Sequence, residues 1–334
     1  MEYSKREKLI LRELSNDARI SVSRLAEIAG CSRLTAKRIV DELTGELGIR
    51  FVLELDENRL GARERHLIAV SFSKRPPEKE LAEFFAGDVN AQEAYLTEGN
   101  FDLVVYATAT RPEDYIIWET RIATHFSDYG VMIRPSEFVL SHFGYLPLSS
   151  KLIHKVDKES GIDDKDKLIL ESLNEDSRMN LSELSRRTGM SGNVIRYRIF
   201  MLQKSGVIKR FTIAMQRPEG HVSLFYMINY RFTKTTTNIA FASAREFYMG
   251  IDGDLPLINT FQFIAPVSGS FRSFGMVCAP DEKSAMEYAV KRHKVIFRNE
   301  DAEIKYAVVR KVLKGLLPIR NLDMRQNYRK IEWV

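Results

Sequence analysis

Leu11-Arg-Glu-Leu14-Ser-Asn-Asp17-Ala-Arg19 returns 159 residues later as Leu170-Glu-Ser-Leu173-Asn-Glu-Asp176-Ser-Arg178. Leu25, Gly30 and Ser32 recur at the same offset as Leu184, Gly189 and Ser191. A repeat held at one offset over this span marks duplication of a whole folding unit, and at this period it excludes a solenoid.

Working outward, Ile10, Leu11 and Leu14 have helical spacing, and Asp17-Ala-Arg19 interrupts it. Ser21 then caps a second helix with Leu25, Ile28 and Ala29 on its apolar face; Asn180 takes that place in the second copy, with Glu183 completing a capping box. Gly30 and Gly189 follow where a left-handed residue closes a helix. Ser32 and Ser191 open a third helix, whose buried face is Ala36, Val40 and Leu43 in one copy and Ile195, Ile199 and Leu202 in the other. The strands Gly48–Leu53 and Gly206–Ile213 follow. Three short helices, a tight turn and a strand predict a winged helix-turn-helix, whose third helix enters the DNA major groove.

Removing the buried positions leaves the candidate DNA contacts. They are Ser32, Arg33, Thr35, Lys37 and Arg38 in copy one, and Ser191, Asn193, Arg196, Tyr197 and Arg198, with Gly192, in copy two. Arg reads guanine bidentately, Asn reads adenine, and Lys or Arg also holds phosphate. Arg198 serves equally well as an internal salt-bridge partner, and the whole set as a solvated basic face.

A second pattern follows each helical unit. His66–Phe72, Ala94–Thr97, Phe101–Thr110 and Ile133–Tyr145 read as strands, and Pro77–Ala86 and Pro112–Tyr129 as helices. That is β-α-β-β-α-β, a ferredoxin-like sandwich. Val222–Phe232, Leu257–Ile264, Phe271–Ala279, the helix Pro280–Phe297 and Ala302–Val312 repeat it. The turn Gly99-Asn-Phe101-Asp102 matches Gly269-Ser-Phe271-Arg272 at an offset of 170, which places an insertion between His221 and Gly269. The predicted fold is α+β. Winged helix-turn-helix domains at 1–55 and 164–215 alternate with ferredoxin-like domains at 62–149 and 219–318, with a linker over 150–163 and a basic tail over 319–334.

The formal charge is +5, and it is unevenly placed. Residues 176–211 hold eight Lys/Arg against two acids, whereas 61–160 hold eleven against fifteen, so the cationic surface belongs to the second reading unit. The two cysteines, Cys31 and Cys278, lack CxxC partners, which excludes a zinc ribbon and fits a reducing cytoplasm. The charged N-terminus has no secretory core, and the longest uncharged run, Leu255–Phe271, is too polar to span a bilayer. No GxGxxG, Walker loop or paired histidines appear, and the six histidines are scattered. The expectation from residues alone is a chain with no catalytic residue, metal or cofactor, and no enzymatic role.

Asp166-Lys-Leu-Ile-Leu170, Leu173, Asp176-Ser-Arg178, Leu184, Gly189-Met-Ser191, Arg198-Ile199, Leu202 and Gly206-Val-Ile208, followed by a ferredoxin-like domain, resemble the Lrp/AsnC (feast/famine) transcription regulators. Copy one departs after Ser32: its Arg38-Ile39 falls one residue early, and Gly45-Glu-Leu-Gly48 replaces a simple turn. The resemblance covers nearly the whole chain as two tandem modules, a form similar to certain archaeal members. It implies a sequence-specific transcription regulator bound to double-stranded DNA, which pairs and assembles further as a homo-oligomer through its ferredoxin-like domains. It also implies a small amino-acid-like effector near Gly99, Asn100, Phe101 and Asp102. Siroheme decarboxylases look like the same architecture, which leaves a tetrapyrrole enzyme as an alternative reading. Non-specific DNA packing is a third.

Overall fold

The computed structural model describes residues 3–56, 58–134, 137–139, 161–214, 220–229, 263–268, 271, 273–297 and 303–315. The linker residues 150–160, the insertion at 235–256, Gly269, Arg272 and the tail over 319–334 lie outside the described residues.

Copy one folds as α1 (Lys5–Asn16), α2 (Val22–Ala29), α3 (Arg33–Leu47) and β1 (Arg50–Leu55). Its counterpart is α6 (Asp164–Glu175), α7 (Leu181–Thr188), α8 (Gly192–Lys204) and β7 (Ile208–Ala214). Ser4 and Asp163 close capping boxes on the first helices, and Ser21 and Asn180 cap the second. Gly30 (φ 60°) and Gly189 (φ 69°) adopt the left-handed conformation that ends α2 and α7 and sets the turn before each reading helix.

The two expected wing strands form, and they pair with each other. β1 pairs antiparallel with β7, from Arg50 opposite Ala214 to Leu55 opposite Ile208, so the two units share one ribbon. They also share one core, in which Leu11, Leu14, Leu25 and Leu43 are continuous with Leu170, Leu173, Leu184 and Ile195.

The first ferredoxin-like unit is β2 (Glu64–Phe72), α4 (Glu78–Gly87), β3 (Ala91–Gly99), β4 (Leu103–Ala109), α5 (Pro112–His125), β5 (Val131–Ile133) and β6 (Glu137–Val139). The predicted helix to Tyr129 ends at His125, and a 3-10 turn spans Ser127–Tyr129, where the left-handed Gly130 follows. Of the predicted strand Ile133–Tyr145, Ile133 closes β5 and 137–139 form β6, both paired with β2, and 140–145 lie outside the described residues. The second unit has β8 (Val222–Asn229), β9 (Phe263–Ser268), β10 (Ser273–Ala279), α9 (Glu282–Phe297) and β11 (Glu303–Lys314). β9 continues to Ser268, past the predicted end at Ile264, and the predicted residues 257–262 lie outside the described residues.

Each unit has the ferredoxin-like order, β6-β2-β4-β3 and β11-β8-β10-β9. Two seams join them: β3 pairs with β11, and β6 with β9. With β2 also bonded to β4, the strands close into a ring inside one chain. Closure removes the exposed edges that otherwise recruit further strands. Alternation along the strands sends Leu67, Tyr95, Tyr106, Phe225, Phe274 and Met276 into one cluster drawn from both units. Opposite faces pack under α4 and α5 in one unit and under α9 in the other. No helix among the described residues is long and apolar enough to cross a membrane.

Candidate nucleic-acid interface

The two helix-turn-helix units are tied to each other by a reciprocal lock. Arg19 Nε donates to the Ser177 carbonyl (2.6 Å), and Arg178 Nε donates to the Ala18 carbonyl (2.5 Å). Arg19 lies over the Phe211 ring at 4.3 Å and Arg178 over Phe51 at 3.9 Å. Main-chain bonds repeat the symmetry, Ala18 N–H to Phe211 and Ser177 N–H to Phe51. Burial lowers the pKa of both guanidiniums, against the pull of Asp17 and Asp176. The Asp-x-Arg repeat therefore pairs the two units, a role that its spacing alone does not disclose.

On the outward side, Ser32, Arg33, Lys37 and Arg38 are exposed on α3. Ser32 Oγ accepts from Thr35 N–H (3.1 Å) and bonds Thr35 Oγ1 (2.9 Å), so these two residues cap the helix. Arg38 is 3.6 Å from Glu42. On α8, Ser191, Asn193, Arg196 and Tyr197 are exposed, and Arg196 donates to Asn193 Oδ1 (3.3 Å). Ser191 stands at the N-cap without a side-chain cap bond.

Arg198 is placed differently. Its guanidinium bonds Asp163 (2.9 Å) and Asp166 (2.8 Å), both at the start of α6. Burial raises the Asp163 carboxyl, but the Asp166 amide and Arg198 outweigh it, and its pKa falls below the ordinary value. Arg198 thus anchors α8 to α6, its salt-bridge reading. On α7, Arg186 and Arg187 hold the Glu183 carboxyl down to about 2. Sequence reasoning passed over Val194, Phe200 and Met201, which are exposed on the same face as Tyr197. Their helical spacing, opposite the buried Ile195 and Ile199, was the available signal.

The Gly99–Asp102 turn lies at the β3–β11 seam. Gly99 has φ 131°, and a Cβ there would come within 2.9 Å of the Tyr306 carbonyl, so only glycine fits. Asn100 Oδ1 accepts from Tyr306 N–H (2.9 Å), and Phe101 is buried in the shared cluster. Asp102 pairs with Arg75 (2.7 Å) and accepts from Phe72 N–H (2.9 Å). Among the described residues no cluster of His, Cys, Asp and Glu could hold a metal ion.

Residues 162–209 match the winged helix-turn-helix DNA-binding family. The transcriptional regulator FL11 of Pyrococcus furiosus is 47% identical over 59 residues, covering 18% of this chain and 38% of that protein. The regulator LrpA of Pyrococcus horikoshii is 38% identical over 52 residues, covering 16% and 37%. The chain therefore spans less than two fifths of these relatives' own length. These matches liken one stretch of this chain to HTH-type transcriptional regulators. A crystal structure of the siroheme decarboxylase NirDL aligns over 98% of this chain and 97% of its own, with a TM-score of 0.55 and 14% identity. That likeness supports the α+β fold. It also overturns the expectation of no enzymatic role, because in that protein the same fold carries an enzyme.

Proposed function

We propose that the chain is a sequence-specific DNA-binding transcription regulator whose two reading helices are presented by a single polypeptide. The observation that carries this reading is the reciprocal lock and the β1–β7 ribbon, which join the two units into one body while the outer residues of α3 and α8 stay exposed. Of the two arrangements open to the ferredoxin-like units, within a chain or between chains, pairing within the chain is supported by the β3–β11 and β6–β9 seams, and the chain then corresponds to a dimer with two different readers. The operator is then two unlike half-sites in fixed order, where a homodimer would bind a palindrome. Fluorescence anisotropy across salt tests it with Arg196→Ala and Asn193→Ala. Loss of a phosphate contact lowers affinity on every sequence and flattens the log–log salt slope by about 0.9. Loss of a base contact costs about 1–3 kcal/mol and relaxes one position. Unchanged affinity and slope for both would remove α8 from the interface.

Control by a small amino-acid-like effector belongs to the same reading. The Arg75–Asp102 pair at the barrel seam offers both charges that a zwitterion needs, so a ligand there would part the pair, ammonium to Asp102 and carboxylate to Arg75. A ligand at about 100 times its dissociation constant adds about 2.7 kcal/mol of stability. Thermal shift with an amino-acid panel, repeated on Asp102→Ala, locates the site.

A second reading, a tetrapyrrole enzyme, draws on the full-length likeness to NirDL, also crystallised with an iron-uroporphyrin III analogue. Incubation with siroheme tests it: a shifted visible band and loss of carboxyl mass from the tetrapyrrole would favour it.

A further inference from the structure

The two reading helices share a scaffold but not a surface. The outward face of α8 carries Val194 (43% exposed), Tyr197 (64%), Phe200 (58%) and Met201 (39%) at i, i+3, i+6 and i+7. Arg196 and Lys204 flank this stripe, with no acidic partner among the described residues. The same face of α3 carries Arg33, Lys37 and Arg38 over its first turns, and Leu34 is its one large exposed apolar side chain. Neither Arg33 nor Lys37 has an acidic partner among the described residues.

Apolar side chains in the major groove have one specific target, the 5-methyl group of thymine, and Asn pairs with adenine N6 and N7. Arg and Lys target guanine O6 and N7. Resting on the DNA-binding reading above, we propose that the halves of the binding site differ in chemistry. The half under α8 is thymine-rich and read through Val194, Tyr197 and Phe200, with Asn193 on adenine. The half under α3 contains guanine and is read through Arg33, Lys37 and Arg38. The cations beside the apolar stripe favour this over a protein partner: they sit where flanking phosphates lie when a helix occupies the groove.

The test uses the full chain and duplexes selected from a random pool. The selected fragment is resynthesised with deoxyuridine for thymidine in one half at a time, which removes the methyl and leaves the pairing intact. Arg33→Ala with Lys37→Ala identifies the half under α3. Uracil in the other half weakens wild-type binding by about fourfold for each methyl contacted, the value of one buried carbon. Val194→Ser and Tyr197→Ser lie on the exposed face, leave the fold intact by circular dichroism, and bind thymine and uracil fragments alike. Undiminished wild-type binding to uracil in that half overturns the proposal while DNA binding stands. Absence of any bound fragment overturns both readings. If the serine variants leave DNA affinity unchanged but alter the sedimentation coefficient, the stripe docks a second copy, and the proposal falls.

Discussion

The two helix-turn-helix units are the same object on the inside and different objects on the outside. Leu14 and Leu173 are fully buried at equivalent points of one shared core, and Arg19 and Arg178 exchange the same hydrogen bond across it. Outside, α3 begins with cations and α8 presents an aromatic stripe. Packing tolerates few changes of volume, whereas an exposed position costs little to vary. A duplicated unit inside one chain can therefore diverge on its reading face while its scaffold stays matched, which two identical subunits cannot do.

The largest expected effect tests the matched interior. Leu14→Ala and Leu173→Ala should each cost about 3 kcal/mol, within the usual range for a buried Leu. Because the core is continuous, the losses should agree within about 1 kcal/mol and appear in one cooperative transition in urea. Two separate transitions would mean that the units do not share a core. Arg19→Ala and Arg178→Ala should follow with about 1–3 kcal/mol each, since each leaves a carbonyl of the opposite unit without its donor.

A smaller effect tests where the units part. Arg198 is held by two aspartates, whereas Arg38 pairs at 3.6 Å with an exposed Glu42. Arg198→Ala should cost about 1 kcal/mol at neutral pH, and Arg38→Ala should lie near zero. Asp163 has its folded pKa lowered, so its contribution is present above the unfolded value and is lost as pH falls through the folded one. The gap between wild type and Arg198→Ala should close as the solution is acidified. DNA affinity should show the reverse order, with Arg38→Ala the more damaging. A constant gap across pH would detach Arg198 from Asp163.

What was legible in the sequence was local. Apolar residues at helical spacing, Ser and Asn caps and the closing glycines act within a few residues, and Ser21, Asn180, Gly30 and Gly189 stand where they were placed. What escaped was long-range. Nothing in Asp17-Ala-Arg19 indicates that the guanidinium crosses to a carbonyl 158 residues away, or that β1 takes β7 as its partner. The same holds for the Gly99 turn: its glycine is readable as a turn residue, but the Tyr306 carbonyl that requires it arrives only when the barrel closes. At Arg198 the residues admitted two partners, and tertiary contact chose the aspartates.

The smallest expected effect carries the comparison into the ferredoxin-like units. The helix-facing side of β8 is apolar, with Leu224, Tyr226 and Ile228 packed on α9. The helix-facing side of β2 has Ile68 and Val70, but also His66, stacked on Tyr115 at 3.7 Å and 3.1 Å from Glu64. Burial lowers the His66 pKa, and the attraction of Glu64 and Glu119 does not make up the difference. The fold therefore prefers the neutral ring. Above the unfolded value of about 6.5 both states are neutral and the site is pH-independent. As pH falls through that value the unfolded chain takes up the proton first, and stability declines until the folded pKa is reached. Tyr115 and the half-buried setting suit a leucine of similar reach, as in the second unit. His66→Leu should remove the decline expected of wild type in urea unfolding as pH falls below about 6.5, with little change at pH 8. If both proteins lose stability equally over that window, the burial of His66 is not its cause, and the two sheets are alike in their response to acid.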